Sequence, residues 1–206
     1  MNEAGAGEGR ATKYHSTVST ARRLHYSYDD YLRALDMSEL RLEYQEGVIY
    51  AMAGGTRAHA QLSAAMIGLL YSRLPKTCKT ATSDMKVRVE ATDLSTFPDV
   101  SVVCGEAKSP SIDANAITNP TLLVEVTSRS TEDYDRGDKL SQYKQIPSLH
   151  AVVFVSHRSQ RLTAVERTAT GWDERDYRSG EVMKLGSPAI EIAVDDVYEG
   201  ITLDAQ

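Results

Sequence analysis

Two carboxylates, Asp99 and Glu125, have the surroundings in this 206-residue chain that best suit chemistry. Glu125 lies between Val124 and Val126 in an apolar, strand-like run, where an ionised glutamate is costly to bury unless it is paired or binds a cation. Asp99 follows a proline and begins a second apolar run. If the two runs form neighbouring strands, their acids converge on an oxygen-ligand site suited to Mg²⁺ or Mn²⁺.

A divalent cation held in this way indicates hydrolysis of a phosphodiester. The metal would polarise a phosphoryl oxygen and lower the pKa of a bound water, and a nearby lysine would orient that water or neutralise the developing charge. Helical spacing places Asp135, Lys139 and Tyr143 on one stripe after the Glu125 strand, so Lys139 can reach back over the site.

Each of these residues also has a purely structural interpretation. Asp135 and Lys139 could form an ordinary exposed ion pair, four residues apart on a helix. Glu125 could be a buried acid satisfied by an arginine or by backbone groups, and Asp99 could be a turn acid after a proline.

The elements that must position these residues predict an α/β fold with a mixed central β-sheet flanked by helices. The runs 122–126 and 151–155 are continuously apolar, which is typical of central strands covered on both faces. A helix predicted over 132–146, with Ser130 or Thr131 as its N-cap, makes them a parallel βαβ unit.

The rest of the chain predicts further elements around this unit. Ser27 and Asp30 form a capping-box pattern before a short helix over 28–36. Further elements are two short strands about Gly47 within 42–52, a helix over 58–74, a half-exposed strand over 85–89, a strand over 100–104, a polar loop over 106–119, and a hairpin over 161–167 and 172–177. We expect a disordered lead-in over 1–21 and a single domain over 22–206.

Composition limits the choice of function classes. No apolar run approaches the length of a membrane span, and the start of the chain lacks the apolar core of a signal peptide, so we expect a cytoplasmic protein without a membrane partner. The two cysteines, Cys78 and Cys104, form no CxxC motif and are expected to be reduced thiols. The net charge of −6 resides in segment 172–206, so a neutral body remains that can still bind a phosphate backbone.

Six segments together resemble the Uma2 family, also called DUF820, of the PD-(D/E)xK nuclease superfamily. The resemblance covers 26–155 and is weaker beyond. The matching segments are LEYQEG with Glu43, YAMAGGTRAH with His59, SDMKVRV with Asp84, FPDVSVVCG with Asp99, LLVEVTSRST with Glu125, and DRGDKLSQYKQI with Lys139.

The resemblance implies a restriction-endonuclease-like core in which Asp99 and Glu125 are metal ligands. It also implies Glu43 as the third acid, with Glu46 as an alternative. The superfamily pattern places a lysine two residues after the glutamate, where this chain has Thr127, and the resemblance indicates Lys139 as the substitute. The possible accessory residues are Glu46, His59, Asp84, Thr127 and Tyr143.

His59 could contact a phosphate, but it also shares a helical face with apolar residues and could be a packed structural histidine. The leading hypothesis is a Mg²⁺- or Mn²⁺-dependent DNA endonuclease acting as a homodimer, because cutting both strands of a duplex requires two active sites. The alternatives are a catalytically weak or inactive nucleic-acid-binding or assembly module with the same fold, and a phosphohydrolase that acts on a smaller substrate.

Overall fold

The computed structural model describes residues 24–52, 54–128 and 132–204. The strands are β1 (Leu42–Gln45), β2 (Val48–Ala51), β3 (Cys78–Thr82), β4 (Lys86–Val89), β5 (Leu94–Thr96), β6 (Val100–Cys104), β7 (Ala116–Ile117), β8 (Leu122–Val126), β9 (Ala151–Val155), β10 (Arg161–Arg167), β11 (Trp172–Arg178), β12 (Val182–Gly186) and β13 (Ala189–Ala193). The helices are α1 (Tyr28–Asp36), α2 (Arg57–Arg73), α3 (Glu132–Tyr134), α4 (Leu140–Tyr143) and α5 (Val194–Tyr198).

A six-stranded mixed sheet in the order β11-β10-β9-β8-β6-β3 forms the centre of the fold. Strands β8 and β9 pair in parallel from Leu122↔Ala151 to Val126↔Val155, which confirms the predicted βαβ unit. Strands β6 and β8 are antiparallel, so the sheet is mixed as expected. A second sheet has the order β2-β1-β5-β4-β7, and β12 pairs with β13.

Helix α2 covers one face of the central sheet. Thr56 caps its N-terminus by accepting a hydrogen bond from the His59 backbone N–H, and the helix ends just before Pro75. Leu62, Met66 and Leu70 recur every four residues and are fully buried against β6, β8 and β9. This packing fixes the start of α2, and with it His59, relative to the strands.

The opposite face packs against the segment that joins β8 to β9. Its helix is interrupted, because a π-helical stretch, Asp135–Lys139, lies between α3 and α4. Leu140, Tyr143 and Ile146 are buried against the side chains of β8 and β9 that point away from α2. The predicted N-caps of this helix, Ser130 and Thr131, lie outside the described residues, as does the expected lead-in.

The prediction that the strand over 85–89 is half exposed is wrong, because every residue of β4 is buried. Lys86 is buried because its Nζ lies 2.8 Å from a carboxylate oxygen of Asp113. Arg88 pairs with Asp93 and its guanidinium lies 4.0 Å from the ring centre of Tyr28 on α1. Carboxylate partners, with the Tyr28 ring, therefore compensate the burial of these two charges.

Two further expectations need correction. The polar loop over 106–119 contains the short strand β7, which pairs in parallel with β4. Cys78 and Cys104 are not free thiols but form a disulfide, because the antiparallel register of β3 and β6 places them directly opposite each other. Within the described residues, no helix is long and apolar enough to cross a membrane.

Arg167 fixes the end of the segment that carries α4. Its guanidinium donates hydrogen bonds to the backbone carbonyls of Lys144, Ile146 and Leu149 at distances of 2.7–3.2 Å. The same group lies 4.5 Å from the ring centre of Trp172. A single side chain on β10 thus binds three carbonyls of the segment that follows α4.

We predict that Arg167→Ala lowers the free energy of unfolding by about 2–4 kcal/mol, because several charge-assisted hydrogen bonds are lost together. Urea unfolding followed by circular dichroism measures the change. Arg33→Ala is the matched control: its side chain is 69% exposed and pairs only on the surface with Asp30, so it should change stability by less than about 1 kcal/mol. Equal losses for the two variants would contradict the assignment.

Candidate active site

Glu125 is buried near the end of β8, with only 4% of its surface exposed. Successive side chains of a strand point to opposite faces of the sheet. Leu123 and Glu125 therefore face α4. The other three side chains of β8 pack against α2: Leu122, Val124 and Val126. The Tyr143 hydroxyl donates a hydrogen bond of 2.6 Å to Glu125 Oε1. Lys139 Nζ lies 3.0 Å from the same oxygen.

Lys139 is the centre of a cluster of acids. Besides Glu125, its Nζ lies 3.7 Å from Glu43 Oε1 and 3.7 Å from Asp135 Oδ1. Asp135 and Lys139 are each about 5% exposed, so the interpretation of this pair as an ordinary surface ion pair is wrong. The stripe of Asp135, Lys139 and Tyr143 faces the strands, and the π-helical stretch supplies its first two members. Such stretches often occur at functional sites.

Asp99 approaches Glu125 from the neighbouring strand. The β6–β8 register pairs Val100 with Val124, and its continuation by one position places Asp99 opposite Glu125. Asp99 Oδ2 accepts a 2.7 Å hydrogen bond from the Val126 backbone N–H. The same oxygen lies 3.3 Å from His59 Nε2 at the start of α2. His59 therefore touches the acid pair directly.

Of the two candidates for the third acid, the structure brings only Glu43 into the cluster. Glu43 Oε1 accepts hydrogen bonds from the Thr96 hydroxyl and from the Phe97 backbone N–H. Glu46 is exposed in the two-residue turn between β1 and β2, where its φ of 45° and the φ of 83° at Gly47 close the hairpin. The structure thus distinguishes two candidates for the third acid, Glu43 and Glu46, that are equivalent by sequence spacing.

Two other accessory candidates lie away from the cluster. Asp84 has a side chain that is 77% exposed, and it pairs with Arg41. Thr127 is fully buried, and its hydroxyl oxygen lies 3.1 Å from His157 Nδ1. The sequence around His157 has no ligand spacing that would single it out; the β8–β9 pairing is what brings it to Thr127.

Burial dominates the electrostatics of the cluster. It raises the pKa of Glu125 from 4.5 to about 8, and the Lys139 ammonium only partly opposes this effect, while Asp135 and Asp99 add to it. Burial alone would lower the pKa of Lys139, but the surrounding acids, first Glu125, hold it well above its ordinary range. The hydrogen bond to Asp99 raises the pKa of His59 against the opposing effect of burial.

The donor chemistry of the cluster suits a hard divalent cation. Among the described residues, one buried lysine and one histidine contact four carboxylates, those of Glu43, Asp99, Glu125 and Asp135. In the described part of the chain, no three His, Cys, Asp or Glu side chains converge as a ligand set. Lys139 and Tyr143 both engage Glu125 Oε1, so a cation would have to share this carboxylate with them.

We predict that the thermal stability of the metal-free protein falls as the pH rises from about 5 to about 8. The folded state keeps a proton on Glu125 up to about pH 8, whereas the unfolded state loses it near 4.5, so unfolding releases a proton throughout this window. One proton corresponds to at most about 1.4 kcal/mol per pH unit. Glu125→Gln should flatten the profile measured by calorimetry in EDTA.

The control for this experiment is Asp84→Asn, which changes an exposed acid outside the cluster. It should keep the slope of the unmodified protein. Identical slopes for Glu125→Gln and the unmodified protein would show that Glu125 is ionised at neutral pH, and they would overturn the assignment.

Comparison with known proteins identifies the family and the fold of this chain. The model of the Uma2 family, described as "Putative restriction endonuclease", matches residues 28–195. An uncharacterised Synechocystis protein, slr1290, is 34% identical over 177 residues, which cover 85% of this chain and 92% of that protein. A second uncharacterised Synechocystis protein, sll1609, is 27% identical over 134 residues, which cover 65% of this chain and 76% of that protein.

A crystal structure of a "putative nuclease belonging to DUF820" from Anabaena variabilis superposes with a TM-score of 0.69. The match covers 84% of this chain and 98% of that chain, at 15% sequence identity, so it bears on the fold alone. The fold is the expected α/β restriction-endonuclease-like core. With the family model spanning most of its length, the chain belongs to the Uma2 family of restriction-endonuclease-like proteins.

Proposed function

We propose that this protein is a metal-dependent endonuclease that hydrolyses phosphodiester bonds in DNA, with Asp99, Glu125 and Lys139 as its catalytic residues. The observation that carries the proposal is the 3.0 Å contact between Lys139 Nζ and Glu125 Oε1 inside a buried group of acids. Thr127, at the position of the superfamily lysine, turns toward His157 instead. Lys139 brings the missing positive charge to the glutamate from the next segment of the chain.

Asp99 and Glu125 would hold Mg²⁺ or Mn²⁺, with Glu43 as the third acid. The bound ion would polarise a phosphoryl oxygen and lower the pKa of a water molecule. The convergence of these carboxylates, which are hard oxygen donors, around one end of β8 supports this part of the proposal.

The side chains around the acids then have distinct tasks. Lys139 compensates the negative charge that accumulates on the phosphate during attack by water. Tyr143 holds Glu125 in place through its short hydrogen bond. His59, which bridges from α2 to Asp99, orients that carboxylate and carries positive charge toward it when protonated.

The same proposal includes duplex DNA as substrate, a two-fold homodimer that supplies two active sites, and a cytoplasmic location where DNA is accessible. The Cys78–Cys104 disulfide weighs against a reducing compartment. Measurement of the thiol content of the protein purified under anaerobic conditions would show whether these two cysteines are joined or reduced.

The competing function is an inactive nucleic-acid-binding or assembly module with the same fold. The observation that favours it is the absence of a ready three-residue ligand set in the described part of the chain. A phosphohydrolase acting on a smaller substrate would fit the net charge of −6. Competition between duplex DNA and a small phosphodiester separates the phosphohydrolase from the endonuclease, and binding without turnover in any divalent cation would identify the inactive module.

We predict that Lys139→Met lowers kcat for plasmid cleavage in Mn²⁺ by about 10²–10³-fold, because a preorganised charge at the developing anion is removed. The matched control is Lys144→Met, which changes a lysine at the end of the same helical segment; its Nζ lies over the Trp172 ring. Cleavage by Lys139→Met at the rate of the unmodified protein would contradict the assigned role, provided that circular dichroism shows both variants folded.

We further predict that calorimetric titration with Mn²⁺ gives one binding event that Asp99→Ala and Glu125→Gln each abolish. Asp84→Ala is the matched control, because Asp84 also belongs to a family segment but pairs with Arg41 on the surface. Binding that survives in both cluster variants, or that is lost in Asp84→Ala, would move the metal site elsewhere. Folded protein that binds no Mn²⁺ would favour the inactive module.

A further inference from the structure

Tyr50 lies on β2, the edge strand of the second sheet, directly across from Glu43 on β1. Directly opposed residues of antiparallel strands project from the same face of a sheet. Glu43 projects toward Lys139, whose Nζ lies 3.7 Å away. Tyr50 therefore faces the side of the sheet on which the acidic cluster lies, and 49% of its surface is exposed.

A second aromatic side chain stands beside it. Gln45 follows Glu43 by two residues on β1 and so shares its face, and Gln45 Oε1 accepts a 3.0 Å hydrogen bond from the Tyr134 hydroxyl. Tyr134 is half-buried in α3, immediately before the π-helical stretch. Two phenol rings thus lie on the face of the second sheet that carries Glu43, one from β2 and one from α3.

Exposed single aromatic residues are common and need no explanation in general. Tyr71 is such a residue: it is 78% exposed on α2 and lies twelve residues after His59, roughly 18 Å along the helix axis. Tyr50 differs because it shares a face with an acid of the cluster. An exposed ring beside a phosphate-cleaving centre offers a flat apolar surface on which a nucleobase can stack.

Stacking also suits the charge of this chain. The net charge of −6 provides little general attraction for a phosphate backbone, so affinity has to come from local contacts. Base stacking on an aromatic side chain contributes affinity without positive charge, and it requires a base whose face is accessible. A base inside an intact duplex does not offer its face.

We propose that Tyr50 is the platform on which an unpaired base of the substrate strand stacks, and that the enzyme prefers DNA with unpaired bases beside the cleaved phosphate. This inference rests on the proposed nuclease function and adds to it a preference for sites at which the duplex is locally opened or a strand is unpaired. Tyr134, which is hydrogen-bonded to Gln45, lies on the same face of the second sheet.

The test measures binding without cleavage, by fluorescence anisotropy of a fluorescein-labelled single-stranded oligodeoxynucleotide and of its duplex, with Ca²⁺ in place of Mg²⁺. The full-length protein is compared with Tyr50→Ala, Tyr50→Phe and the control Tyr71→Ala. We expect Tyr50→Ala to weaken single-strand binding by about 5- to 100-fold, the range of one lost base–aromatic stack. Tyr50→Phe and Tyr71→Ala should stay within about twofold of the unmodified protein.

A 2-aminopurine base in the same oligonucleotide reports stacking directly. Its fluorescence should be quenched on binding to the unmodified protein and to Tyr50→Phe, and much less on binding to Tyr50→Ala. Unchanged single-strand affinity in Tyr50→Ala, or an equal loss for the duplex, would overturn the stacking role and leave the nuclease proposal intact. If the unmodified protein binds neither DNA, both proposals fail.

Discussion

The contact between Lys139 and Glu125 is the interaction on which the rest of the site depends. An ionised side chain loses most of its hydration on burial, at a cost of several kcal/mol, which either a close partner of opposite charge or, for a carboxylate, a bound proton offsets. Glu125 comes from the central strand β8, and Lys139 comes from the segment that follows it. The scaffold therefore has to hold two elements in register to within a few tenths of an ångström.

The surrounding structure meets that requirement from three sides. Strand β8 pairs with β6 on one side and with β9 on the other, and these hydrogen bonds fix the position of Glu125 along the sheet. Asp99 ties β6 to the β8 backbone through the Val126 N–H. Arg167 binds the carbonyls after α4 and so fixes the far end of the segment that carries Lys139 and Tyr143. None of these contacts touches a substrate, yet each one sets the geometry of the acids.

The central part of this arrangement could be predicted from sequence, because it depends on short-range patterns. Continuous apolar runs with one glutamate identified β8, and helical spacing identified the stripe that ends at Tyr143. The choice between Glu43 and Glu46 could not be made, since it depends on which residue occupies the β1–β2 turn. The burial of Lys86 and the role of His157 were missed for a related reason: their partners, Asp113 and Thr127, are distant in sequence.

An excess of buried acid explains how an acidic chain could act on a polyanion. A phosphate that approached four carboxylates and one lysine alone would be repelled, whereas a divalent cation between them reverses the sign of the interaction. Glu125, with its pKa raised to about 8, remains largely protonated at neutral pH without such a cation, and this limits the repulsion inside the fold. Cation binding would favour the ionised carboxylate and release its proton. Under the proposed metal dependence, a proton on Glu125 and a bound cation would thus be alternative ways to balance the charge of the same acids.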